Sequence, residues 1–422
     1  MEVRLPYGKE HLTVEVPDEN LMAVAYTRVA ELRPVEDVHE EVVRWLRSPI
    51  GTPPLAEMVG KGDKVAIVVD DYTRACPDHL LLPPILEELQ RGGVRKEDIT
   101  IVVATGLHPP LPEKLEEIVG KQVLEEYEVV YHDAKESEMV DLGQTTYGVP
   151  VRLNKIVADA DFKMSTGFIE PHVFAGFSGG RKSIMPGISS AESIFKNHGY
   201  SMLINPNARP GVLRGNPVHE DALQHMLKLG HNFVVNVILT MDKQVAKVVA
   251  GHPVKAWEEG VRMDRELVTV RLPQKADVVI TTNSGYPLDI DLYQTCKGAR
   301  MAADVVKRGG HIIIASKCWG GVGPGKFYDI FKEASTPDEV LEKIRREEPI
   351  EGQWCCQIWA MLQKEYKIHV ISDLEKSVVE DCLLMPADTV EEAVEEALRV
   401  LGPKAKIAVI PEGPVALAET RE

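Results

Sequence analysis

Short apolar runs rich in valine and isoleucine alternate along this chain with longer amphipathic stretches. Lys64–Asp70, Ile99–Ala104, Phe162–Thr166, Phe233–Leu239, Asp277–Thr282, His311–Ser316, Lys367–Ile371 and Lys406–Ile410 are too short for helices and nearly continuous in apolar character, so they read as buried strands. His79–Gln90, Ser190–Asn197, Glu220–Leu229, Pro253–Arg265 and Val390–Leu401 read as helices between them. Such alternation predicts an α/β protein built on mostly parallel sheets. A chain of 422 residues exceeds one ordinary core, so two α/β domains are expected, with the active site in a cleft between them. The polar segment Arg271–Ala276 before a new strand marks the junction. The expected division is 1–270, to which 405–422 would return, and 271–404.

This architecture gives the polar residues a common address, because open α/β sheets bind ligands beyond the carboxyl ends of their strands. The strand ending at Asp70 runs into Asp71-Tyr72-Thr73-Arg74, and the one ending at Ala104 runs into Thr105-Gly106-Leu107-His108. The next runs into Thr166-Gly167-Phe168-Ile169-Glu170-Pro171-His172. An acid/arginine pair and two histidines are thus predicted at one sheet edge. In the second half, Asp291-Leu292-Tyr293-Gln294-Thr295-Cys296-Lys297-Gly298 follows a strand, and Tyr293 and Lys297, four apart, share one helix face.

The 34 residues from Ser165 to His198 add a glycine-rich turn (Gly176, Gly179, Gly180) ending in Lys182, flanked by His172 and His198. Glycines allow backbone N–H groups to approach an anion, and the helix start expected after the turn favours negative charge. A lysine there neutralises a phosphate or, with a lowered pKa, acts as a nucleophile. Gly176–Ser183 matches a P-loop except that Arg181 occupies the last glycine position, and Pro171 and His172 separate the loop from its strand. A P-loop-like phosphate-binding enzyme is the alternative this segment leaves open, along with a plain turn.

Bulk properties narrow the field. A net charge of -17 argues against nucleic acid as a partner. No apolar run approaches the roughly 20 residues that span a membrane, and the N-terminus lacks a signal-peptide core. The six cysteines form no C-x-x-C pair, as expected of reduced thiols in a cytoplasmic enzyme.

The residues singled out so far resemble the nickel-dependent lactate racemases and related 2-hydroxyacid racemases and epimerases. The resemblance is carried by D-D-Y-T-R at Asp70–Arg74, T-G-L-H at Thr105–His108, E-P-H-V-F-A-G-F-S-G-G-R-K-S-I-M-P-G at Glu170–Gly187, N-H at Asn197–His198, D-L-Y-Q-T-C-K-G at Asp291–Gly298 and P-E-G-P at Pro411–Pro414. It implies a nickel-pincer nucleotide, a nickel ion held by a modified pyridinium mononucleotide, joined by a thioamide to Lys182 and made by separate cofactor-maturation enzymes. By the same resemblance His198 is the protein's nickel ligand and His108 and His172 are the acid/base pair. Arg74, Tyr293, Gln294 and Lys297 would hold substrate. Asp71 and the loop carrying Gly176, Ser178, Gly179, Gly180 and Arg181 would bind the ribose and phosphate. A family tryptophan falls on either Trp354 or Trp359.

The residue types suit that chemistry. The hydrogen at C2 of a 2-hydroxy acid is barely acidic beside a carboxylate, so its removal as hydride, with a histidine taking the hydroxyl proton, gives a 2-keto acid without a dianion. Return of hydride to the opposite face requires a proton carrier on each side. Arg74 and Lys297 offer cations to the carboxylate. Lactate is the expected substrate, with malate or an aldonic acid as alternatives. A carrier that binds the cofactor without turnover is a further one.

Overall fold

The computed structural model describes residues Met1–Arg421 and contains two six-stranded sheets. The first has the order Val245–Gly251, Phe233–Leu239, Phe162–Phe168, Val65–Asp70, Ile99–Ala104, Glu128–Tyr131. All neighbours are parallel except Val245–Gly251, an antiparallel edge strand joined to Phe233–Leu239. The second is parallel throughout, in the order Met385–Pro386, Lys367–Ile371, Val306–Ala315, Ala276–Thr282, Ile407–Ile410, Leu21–Val24. Every strand expected from the apolar runs is present. Central strands such as Phe233–Leu239 are buried at every position, which is why they carry no polar alternation.

The helices follow their apolar faces. Asp78–Arg91 packs Leu81, Leu82, Ile85 and Leu89 against the first sheet, in one core with Ile67, Ile101 and Val235. Val390–Leu401 packs Val390, Ala393, Val394 and Ala397 against Val278, Ile280 and Val409 of the second. Thr389 caps that helix by accepting from the Glu392 backbone N–H.

Strand pairing at the two termini departs from the expected division. Ile407–Ile410 pairs with Ala276–Thr282 in the second sheet, and Leu21–Val24 pairs with Ile407–Ile410 from the far side. The hairpin of Glu2–Tyr7 and Glu10–Glu15 buries Val3, Leu5 and Val14 in the same core as Val278 and Ile280. Only Leu417–Thr420 turns back, pairing with Thr269–Leu272 in a two-stranded ribbon. The reason is the open edge of Ala276–Thr282: its own sequence neighbours cover one side, and the remaining side must be satisfied by a strand from elsewhere.

In each sheet the strand order reverses at one interior point. In the first sheet this happens between Val65–Asp70 and Phe162–Phe168, in the second between Ala276–Thr282 and Ile407–Ile410. Loops leaving such a point diverge and open a crevice.

Candidate active site

A cavity of about 410 Å³ lies where the loops of the first sheet meet helices of the second. From the first sheet come Asp71 and Arg74, which follow Val65–Asp70, and His108, which follows Ile99–Ala104. His172, Ser178, Gly179, Lys182 and His198 come from the chain beyond Phe162–Phe168. From the second come Tyr293, Gln294 and Lys297 of the helix Leu292–Ala303, and Trp354 of the helix Gln353–Gln363. Asp291 caps the first of these helices, accepting from the Gln294 N–H at 2.6 Å, and so fixes the turn that presents Tyr293 and Gln294.

Three residues expected at the site lie outside its lining: Gly176, Gly180 and Arg181. Arg181 points away from the lining. Its guanidinium is buried and turned away, donating to the carbonyls of Ala175 (2.7 Å) and Phe177 (2.9 Å) and stacking 4.1 Å from the Trp257 ring centroid. Gly180 sits against the other side of this arrangement, where a Cβ would come within 2.6 Å of Trp257. Gly179 has φ +70°, and a Cβ there would meet Asn236 Oδ1 at 2.9 Å. These glycines are needed for packing the loop onto Trp257 and Asn236. The segment after the turn, Gly180–Ser183, is a single 3₁₀ turn, and the next α-helix begins only at Ala191. The long helix that a P-loop places directly behind its phosphate is absent from this position, and the helix expected over Ser190–Asn197 is present as Ala191–Asn197.

The two histidines are held differently. His108 Nδ1 lies 2.7 Å from Asp71 Oδ2, and Asp71 Oδ1 accepts from the Thr73 hydroxyl at 2.6 Å. His172 Nδ1 accepts instead from the backbone N–H groups of Ala175 (3.2 Å) and Phe174 (3.5 Å). A ring nitrogen that accepts carries no hydrogen, so neutral His172 bears its hydrogen on Nε2. Burial, and after it the positive charges of Lys182, Arg74 and Lys297, push its pKa well below the usual imidazole range.

An aromatic row crosses the site. His172 meets Phe174 edge-on at 4.7 Å, Phe174 meets His198 at 5.0 Å, and His198 meets Trp354 at 5.5 Å. Trp354 Nε1 donates to the Tyr293 hydroxyl. Nothing in the sequence marked Phe174, yet it spaces the two histidines. His198 is buried, its Nδ1 has no hydrogen-bond partner, and burial pushes its pKa down to about 3. The ring is therefore neutral, with a lone pair to offer.

Cations dominate the charge balance. Burial and then the Arg74, Arg181 and Lys297 charges hold the Lys182 amine well below its usual range, against an opposing pull from Asp70. Lys297 is lowered too, by burial first and Arg74 second. Lowering the pKa favours the free amine, the form that attacks an acyl or thioacyl group. The site can therefore bind a carboxylate between Arg74 and Lys297 and present one nucleophilic amine.

The chain matches the model of the lactate racemase N-terminal domain over residues 7–211 and that of the lactate racemase C-terminal domain over residues 272–417. It is 36% identical to the lactate racemase of Thermoanaerobacterium thermosaccharolyticum over 417 residues, which is 97% of each protein. The chain belongs to the lactate racemase family. It is an isomerase of that family, as the resemblance implied. A lactate racemase of Lactiplantibacillus plantarum is 35% identical over 97% of this chain and 98% of its own. The solved structure of the T. thermosaccharolyticum lactate racemase apoprotein superposes with a TM-score of 0.93 at 35% identity, covering 99% of this chain and all of that one. A Thermotoga maritima protein shares the fold at a TM-score of 0.67 and 18% identity, covering 91% of this chain and 98% of that one. No helix among the described residues is long and apolar enough to cross a membrane.

Proposed function

We propose that this isomerase interconverts the enantiomers of a small 2-hydroxy acid, lactate foremost, using a nickel-pincer nucleotide attached to Lys182. One observation carries the reading: a single cavity gathers His108, His172, Lys182, His198, Arg74, Tyr293, Gln294 and Lys297 from the loops and helices of both sheets.

The residues fit the cofactor. Among the described residues no three His, Cys, Asp or Glu side chains converge to hold a metal ion. His198, neutral and with an orphaned ring nitrogen, suits nickel as one ligand among others that an organic group brings with it. Lys182 supplies the amine for attachment, and Ser178 and Gly179 line the wall where a phosphoribosyl group would rest. Cofactor-maturation enzymes are the partners this requires. When bound, such a group supplies an electron-poor acceptor that lets the C2 hydrogen leave as hydride.

The chain's own residues do the rest. Arg74 and Lys297 take the substrate carboxylate; acylation of Lys182 removes its charge and leaves these two as the cations facing it. His108 takes the hydroxyl proton while neutral His172 presents an N–H to the oxygen on the other side. For His172 to exchange roles in the second half of the cycle it must give up its two backbone donors. Tyr293 and Gln294 fix the rotation of the bound acid. Glu351 on the cavity wall repels a second carboxylate and favours lactate over malate.

The test uses protein produced with its maturation enzymes and supplied with single enantiomers of lactate, malate and an aldonic acid. Lactate should racemise fastest by chiral chromatography, and C2-deuterated lactate should react more slowly with its label retained. His108→Ala and His172→Ala should each lower turnover by at least about 10²-fold, without adding. Preference for malate would displace the substrate, and loss of C2 label to solvent would replace hydride transfer by proton abstraction.

A further inference from the structure

We infer that Asp71 is a positioning residue for His108, locking that ring in the tautomer opposite to the one held at His172. This rests on the racemase reading above, but departs from the cofactor-binding role that resemblance implied for Asp71.

Asp71 is buried while the His108 side chain is 43% exposed, so the ring is steered from the protein side by the carboxylate, with the Thr73 hydroxyl a longer contact to the same Nδ1 at 3.4 Å. Both carboxylate oxygens are committed: Oδ2 to His108 Nδ1 at 2.7 Å, Oδ1 to the Thr73 hydroxyl at 2.6 Å and the Thr73 N–H at 3.2 Å. An ionised carboxylate only accepts, so the hydrogen of neutral His108 sits on Nδ1 and Nε2 keeps its lone pair. Thr73 fixes the carboxylate in turn, which completes a Thr–Asp–His relay of orientation. At His172 the corresponding nitrogen faces two backbone donors and the hydrogen is forced to Nε2. The backbone holds one histidine and a side chain the other, in opposite forms: Nε2 of His108 is ready to take a proton and Nε2–H of His172 to donate a hydrogen bond. In the proton step, the hydroxyl O–H bond breaks as the His108 Nε2–H bond forms, and the Nδ1–H stays hydrogen-bonded to Asp71, which accepts no proton. A carboxylate that only orients a base has large leverage: in serine proteases, exchanging it for the amide costs about 10⁴-fold through the wrong tautomer.

The experiment pairs spectroscopy with kinetics. In ¹⁵N-histidine-labelled protein, His108 should show the Nδ1–H tautomer, and Asp71→Asn should mix or invert it. In protein produced with the maturation enzymes, Asp71→Asn should retain the wild-type mass increment and nickel content, lower kcat at least about 10²-fold and move KM less than about twofold. Combined with His108→Ala it should lose no more than His108→Ala alone. An Nε2–H tautomer in the wild type overturns the inference without any variant. Loss of the mass increment in Asp71→Asn would return the carboxylate to the cofactor. Should no 2-hydroxy acid be racemised at all, the functional reading falls, and the tautomer measurement still decides the positioning.

Discussion

The Trp354 indole N–H donates to the Tyr293 hydroxyl at 2.6 Å, joining two helices of the second sheet at the wall of the cavity. The Trp354 ring also packs edge-on against His198, so one side chain touches both halves of the site. Trp359, on the same helix, is fully buried and donates to the Leu292 carbonyl at 3.1 Å. Of the two tryptophans that the sequence left open, Trp354 lines the cavity and Trp359 lies in the core behind it.

The two tryptophans should respond differently to substitution. Trp354→Phe keeps an aromatic ring near His198 and drops the hydrogen bond to Tyr293. A loss of about 1 kcal/mol in substrate binding, roughly a fivefold rise in KM, is expected, with little change in the urea midpoint. Trp359→Ala empties a packed core and should cost about 3–5 kcal/mol of unfolding free energy. Kinetics and urea melts on the two variants, read side by side, check the contrast.

Why one tryptophan and not the other was open in the sequence is a matter of angle. Positions 354 and 359 are five apart, on well-separated faces of a helix, and an almost wholly apolar run (Q-W-C-C-Q-I-W-A-M-L-Q) does not say which face meets the core. The strands were legible because burial on both faces leaves a continuous apolar run, and the strand-end residues because the fold class gives them an address. The direction of the Arg181 side chain was not legible for a different reason. Neighbours in a tight loop point in different directions, and its direction is set by Trp257, far along the chain. The same holds for Phe174, whose role appears only once His172 and His198 are brought to either side of it. Pairing at the termini depends on which sheet edge stays open, and the local pattern of Leu21–Val24 carries no trace of that.

Attachment and metal binding should separate by residue. Lys182→Ala, in protein produced with the maturation enzymes, should show no mass increment, since Arg181 is turned away and its guanidinium is a poor nucleophile. His198→Ala should keep the increment and lose most of the nickel. Intact-mass spectrometry and metal analysis of the same preparations read both. A full nickel content in His198→Ala would move the ligand assignment elsewhere.

His132 should make the fold sensitive to mild acid. It is fully buried beyond the strand Glu128–Tyr131, with Nε2 donating to the Ser189 carbonyl at 3.0 Å and Nδ1 facing the Asn154 amide nitrogen at 3.2 Å. A donor already points at Nδ1, so a second proton has no acceptor there, and burial pushes the pKa down to about 4. In the unfolded chain the ring titrates near its ordinary value of about 6.5. Between those values the unfolded state binds a proton that the folded state refuses, so stability falls as pH drops through about 6.5 and continues to fall toward about 4. Taking the wild type from pH 7 to pH 5 should therefore cost about 2 kcal/mol through this group alone. His132→Gln, which keeps a side-chain donor and acceptor without a proton to gain, lacks that contribution. Other buried histidines and carboxyl groups titrate alike in both proteins, so their effects cancel in the comparison. Urea unfolding at pH 7 and pH 5 should show the wild type losing about 2 kcal/mol more than the variant; equal losses would mean that His132 is protonated in the folded protein.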